Sequence, residues 1–255
     1  MNSYIKIIEK PKLRKPVMVV GLPGVGNVGR VAAGYMVAEL RMKKMAELYS
    51  PHFLHLVVVE EGDTIRLLRC DFYYIKGKKS DIVVLTGDTQ SVTTEGHYEF
   101  CESVLEYAKK LGVKDIITIG GFSDGKAPQE PRVIGAADSK ATRKKYDKYK
   151  IDFGKDHPVG TIVGASGMLA GMAERYGMSG LVLMGETMGM PFIMDPKAAD
   201  RTLHSLIRIL GINLDLGKLE NTVKEMEERL KKTEEIHKNL LRDMTKSKDD
   251  VRYIG

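Results

Sequence analysis

From Val17 to about Leu210 the chain alternates short apolar runs with stretches of helical spacing. The clear runs are residues 17–20, 54–59, 82–86, 116–119, 161–163 and 181–184. They are nearly continuous in Val, Ile and Leu, as expected of strands buried on both faces. Between them, Cys101, Val104, Leu105, Ala108 and Leu111 recur at helical spacing over 96–111, and Gly112 follows as a stop. Ser166 is placed to cap a helix over 167–176 that Gly177 ends. At the N-terminus Tyr4, Ile5, Ile7 and Ile8, interspersed with charge, read as a strand. Strands alternating with helices predict an α/β fold, a mostly parallel mixed sheet flanked by helices.

Two stretches depart from that rhythm. Residues 54–75 read as two or three strands joined at Glu61-Gly62-Asp63, which attaches an antiparallel hairpin to the sheet. Residues 123–158 hold Gly125, Pro128, Pro131 and a charged run, so they form either a long loop or a protruding hairpin.

The pattern changes again after Gly211 and Gly217. Leu216, Leu219, Val223, Met226, Leu230, Thr233, His237, Leu240 and Met244 step by three and four without a slip and with no Gly or Pro from 218 to 244. This is a heptad seam on one long helix, with polar Thr233 and His237 at core positions. Such a helix either lies on its own domain or zips against another subunit. The second reading makes Leu219, Val223, Met226, Leu230 and Leu240 partner-binding residues. The chain therefore divides into an α/β core over 1–211 and a C-terminal helix with a polar, flexible tail over 212–255.

Composition removes several function classes. Among 255 residues no run approaches the roughly 20 apolar residues of a membrane span. Two cysteines, Cys70 and Cys101, have no CxxC partner, which indicates neither a disulfide framework nor a zinc site. A cytoplasmic protein is expected. The net charge of +6 is concentrated in 140–150 and in the C-terminal helix, where acids interleave the bases. That reads as a solvated face and not as a nucleic-acid groove.

The candidate chemistry centres on the glycine-dense turn at 21–29, which matches G-x-G-x-x-G through Gly24, Gly26 and Gly29. A dinucleotide site also wants an acid about 20 positions on, at the end of the next strand. Here Glu60 and Glu61 come later than that, and Pro23 sits inside the loop. The turn is thus either a phosphate cradle, with Asn27 beside it, or tight strand-to-helix packing. Asp88, Gln90 and Glu186 stand at strand ends, where a doubly wound sheet opens a crevice, and are the polar candidates for a ligand. They serve equally well as turn and helix caps. Gly164-Ala165-Ser166-Gly167-Met168 lacks the second glycine of a nucleophile elbow, and His52 and His55, three apart on a strand, point to opposite faces. No catalytic set, metal site or cofactor is expected.

Taken together, the turn at 21–29, Leu85-Thr86-Gly87-Asp88-Thr89-Gln90, Gly120-Gly121-Phe122 and the run from Gly180 to Glu186-Thr187 resemble the archaeal branch of the proteasome assembly chaperone family, over roughly residues 16–214. The resemblance implies a phosphorylase/hydrolase-like α/β domain and an oligomeric protein without established catalysis. Some family members help proteasome α-subunits assemble. Docking members end in a hydrophobic residue, Tyr and any residue; here Arg252 precedes Tyr253, and Ile254 and Gly255 follow. The expectation is a homo-oligomeric adaptor, possible partner of proteasome α-subunits, with Tyr253 and Ile254 as tail anchors. Its contrast is an enzyme or sensor that holds a nucleotide or anionic metabolite in the strand-end crevice.

Overall fold

The computed structural model describes residues 2–60, 62–126, 128–154, 159–189, 194–226 and 228. In chain order its elements are β1 (Tyr4–Ile7), β2 (Val17–Gly21), α1 (Val28–Glu39), β3 (Lys43–Tyr49), β4 (Val57–Val59), β5 (Ile65–Leu67), β6 (Cys70–Ile75), β7 (Ile82–Gly87), α2 (Thr94–Lys110), β8 (Asp115–Phe122), β9 (Val133–Ala137), α3 (Lys140–Tyr146), α4 (Ala165–Met172), β10 (Ser179–Glu186) and α5 (Pro196–Leu210).

Eight strands form one sheet in the order β1-β3-β6-β7-β2-β8-β10-β9. The four central strands, β7, β2, β8 and β10, run parallel to one another. They come from the continuous apolar runs because helices cover both of their faces. One face packs Met18, Val20, Val83 and Leu85 against Phe100, Val104 and Leu105 of α2 and Leu169 of α4. The other packs Val19, Val84, Ile117, Ile119 and Leu183 against Val31 and Met36 of α1 and Leu203 and Leu206 of α5. The flanking strands β1, β3, β6 and β9 pair antiparallel.

Several elements differ from the sequence pattern, each for a physical reason. Residues 161–163 form no strand; their apolar side chains belong to a loop at the sheet's end. The segment between α1 and the hairpin is β3, whose face away from the core is polar with Lys44 and Glu47. Residues 123–158 contain β9, built of small residues and paired on β10, and α3, which Ser139 caps by accepting from Thr142 N. The helix α4 starts at Ala165, one turn position before the expected Ser166 cap, because Gly164 sits at φ 90° and Gln90 Oε1 accepts from Ala165 N. At the hairpin's end Glu60 N donates to Thr64 O at 2.8 Å, and β4 and β5 pair as the expected hairpin but form a separate two-stranded sheet.

The chain beyond α5 returns to the core. Leu214, Leu219 and Val223 are buried with α1 and α5, Met226 packs beside them, and Tyr35 Oη donates to the Asp215 carbonyl. Residues 219–226 are helical. The first four seam positions, Leu216, Leu219, Val223 and Met226, therefore pack on their own domain. Leu230, Thr233, His237, Leu240, Met244, Tyr253 and Ile254 lie outside the described residues.

Candidate functional site

At the carboxyl ends of β2, β8 and β10 lies a crevice of about 360 Å³, where ligands commonly sit in open α/β sheets. The loop after β2 forms one wall with Pro23, Gly24 and Val25; Gly120 and Gly121 of β8 form the floor; residues 159–163 and Ser166 form the far wall. No charged side chain stands among its described lining residues.

The glycines of the 21–29 turn serve packing. A Cβ at Gly21 would stand 2.0 Å from the Gly29 carbonyl oxygen, and one at Gly29 would stand 2.4 Å from the Ile119 carbonyl oxygen. These spacings let α1 descend onto β2 and β8. Gly26 adopts φ 60° with its α-carbon against Thr187, while Asn27 is buried in the left-handed region at φ 48°. Asn27 N donates back to Gly24 O. Gly24 alone borders open space, its nearest neighbour being the Gln90 amide nitrogen, 3.6 Å from an added Cβ.

Of the three polar candidates, the structure brings only Gln90 to the crevice. Its amide nitrogen donates to the Pro23 carbonyl and its Oε1 accepts from Ala165 N at 2.9 Å. It thereby ties the glycine turn to α4. Asp88 points instead to the hairpin, where it receives Arg66 through two nitrogens at 2.5 and 3.1 Å and the Arg69 amide at 3.0 Å. Glu186 is buried and clamped by Arg132 at 2.8 and 2.6 Å, with the Arg132 amide at 3.1 Å. Those hydrogen bonds hold its carboxyl below the usual range against the upward push of burial. Asp88 and Glu186 are thus satisfied within the chain as structural anchors.

Two anchoring residues escaped the sequence reading. Asp195 caps α5, accepting from Ala198 N at 2.9 Å and from Thr187 Oγ1 at 2.7 Å, while its own amide donates to Gly26 O. The Asp195-Pro196 pair is a recognisable helix start. Arg132 carried no local signal. His52 pairs with Glu99 at 3.1 Å and does not share a site with His55. Among the described residues no cluster of three or more His, Cys, Asp or Glu is arranged to hold a metal, and no helix is long and apolar enough to cross a membrane.

The profile of the PAC2 family matches residues 18–234. The chain belongs to the PAC2 family. A relative from Methanocaldococcus jannaschii, described as an uncharacterized protein, is 36% identical over 263 residues and aligned across 100% of both chains. The crystal structure of Pyrococcus furiosus PbaB, described as an archaeal proteasome activator, is similar at TM-score 0.81 and 36% identity, over 91% of this chain and 99% of that one. Pyrococcus furiosus PbaA, described as an archaeal homolog of proteasome-assembly chaperone, is similar at TM-score 0.73 and 28% identity, over 91% and 97%. The mixed α/β architecture expected from the sequence is the PAC2 fold of these neighbours.

Proposed function

We propose that this chain is a non-catalytic, cytoplasmic assembly chaperone or adaptor that works on proteasome α-subunits as a homo-oligomer. The observation that carries the reading is the 36% identity to PbaB across nine-tenths of the chain. The crevice supports it from the other side, because Gln90 is engaged within the chain and Asp88 and Glu186 are anchored elsewhere. Without a cation at its described walls, the crevice offers a phosphate or carboxylate no charged partner. This disfavours the nucleotide or anionic-metabolite reading through Gly24, Gly26 and Gly29.

In this proposal 212–255 is the interaction element. Leu219 and Val223 fasten its root to the core. The seam continued by Leu230 and Leu240 meets a partner, and Tyr253 and Ile254 anchor the tail in a groove between subunits. Several tails on one oligomer raise avidity without new contacts. The test is binding of the full-length protein to purified proteasome α-subunits. Capture is expected, with a loss of tenfold or more in Tyr253→Ala/Ile254→Ala. Absence of binding by the full-length protein sinks the reading.

A further inference from the structure

At the amino ends of β2, β7 and β8, opposite the crevice, lies a groove of about 700 Å³. Half-buried Val17, Leu40, Ile209 and Ile212 give it an apolar floor. Two lysine groups far apart in the sequence form its rim. Lys76, Lys78 and Lys79 come from the turn between β6 and β7, and Lys145 and Lys148 from α3 and the turn after it. Asp115 is the one acid among the described lining residues, and it already receives Lys145 and the Tyr146 hydroxyl. Lys76 reaches Asp81 at 3.2 Å, below the turn. Lys78, Lys79 and Lys148 have no acidic partner among the described residues.

The lysine turn is held in one shape. Buried Asp81 accepts from Arg14 N at 2.6 Å and Gly77 N at 3.0 Å, and the Arg14 guanidinium donates to the Gly77 carbonyl at 2.8 Å and the Lys78 carbonyl at 2.5 Å. A Cβ at Gly77 would stand 2.0 Å from the Ser80 carbonyl oxygen, so the turn closes as tightly as glycine allows. Its cations are displayed with the backbone already ordered, which lowers the cost of binding. We propose that this groove docks an acidic segment of another protein, whose carboxylates meet the rim lysines while an aliphatic or aromatic side chain enters the floor. Charge complementarity selects that occupant. A second copy brings a net charge of +6 to a basic rim, and residues 227–255 of the chain itself carry seven acids against eight Lys and Arg. A nucleic-acid strand wants aromatic faces for its bases and arginine forks for its phosphates. Here Tyr146 is buried, Lys148 lies over the Tyr149 ring at 5.0 Å, and Arg14 is spent on the backbone of the turn.

The test is fluorescence anisotropy on the full-length protein with a fluorescein-labelled peptide of glutamates flanking a central leucine–phenylalanine pair. Binding is expected with a Kd of about 10 µM. Lys78→Glu/Lys79→Glu should weaken it about tenfold, with Tm within about 2 °C of the parent because both side chains are exposed. Lys148→Glu, on the other wall, should weaken it about threefold, so the outcome does not hang on the turn alone. The control Lys197→Glu/Arg201→Glu makes the same change in net charge at the start of α5, and should stay within about twofold. Equal loss in the two double variants means net charge alone and overturns the proposal, as does a parent that binds no peptide. A peptide with serines in place of the apolar pair is expected to bind about tenfold more weakly; unchanged affinity overturns the role of the floor. An oligothymidylate of equal charge that binds as tightly as the peptide would hand the groove to nucleic acid instead.

Discussion

The crevice at the sheet's end and the hairpin at its side are opposite kinds of surface. The crevice is concave, glycine-lined and in the place where α/β folds bind ligands, yet Gln90, its one polar candidate, is bonded on both sides within the chain. The hairpin carries no chemistry, and its four outward aliphatics, Val57, Val59, Ile65 and Leu67, are exposed among the described residues. A polar group that is already satisfied marks scaffold, while an apolar face left open marks contact. The difference supports the proposal that the molecule acts through surfaces that meet other proteins.

The largest expected effect tests the scaffold side. Gly29→Ala places a Cβ 2.4 Å from the Ile119 carbonyl oxygen and is expected to cost about 3 kcal/mol in denaturant unfolding. Gly24→Ala enters open space and should stay within about 0.5 kcal/mol of the parent. Equal costs would mean that the turn's glycines are not set by packing. Next, Arg66→Ala releases the back of the hairpin and leaves Asp88 without its bidentate partner, a loss of about 2 kcal/mol. Hydrogen exchange should speed up over 57–67 while β2 and β8 stay protected. Uniform acceleration would break the separation between hairpin and core.

A smaller effect comes with pH. Burial pushes Glu47 up, but the Tyr49 hydroxyl, Arg69 and Lys44 bring it below its ordinary value of 4.5, and Arg132 lowers Glu186. A carboxylate with a folded value below its unfolded one stabilises fully above the unfolded value. That contribution is lost as pH falls through the folded value. Thermal melts should therefore be flat from pH 7 to about 5 and decline below about 4.5. The decline should be shallower in Glu47→Gln/Glu186→Gln. An unchanged decline would remove these two groups from the account.

What was legible in the sequence follows the range of the forces involved. Strands β2, β7, β8 and β10 announce themselves because double-sided burial demands continuous apolar runs. Helix α2 shows because its inner face repeats at helical spacing, although it starts at Thr94, two residues before the expected 96, with Thr93 as an unforeseen cap. The strands β3 and β9 were hidden, the one by its polar outer face and the other by Gly135, Ala136 and Ala137. Asp88 and Glu186 could be read as ligand groups only because their partners Arg66 and Arg132 stand 22 and 54 residues away. The heptad spacing marked Leu219 and Val223 as an apolar stripe correctly; periodicity does not say what a stripe packs on, and these two pack on their own α1.

The claim that action lies outside the crevice has one direct measurement: the affinity of full-length protein for purified proteasome α-subunits, with and without Gly24→Leu. Gly24 is in extended backbone that any residue adopts, so leucine fills the crevice mouth without backbone strain. The account predicts binding within about twofold of the parent. Loss of binding on filling the crevice, or no binding by the parent alongside a Tm rise of several degrees with a nucleotide, would contradict it.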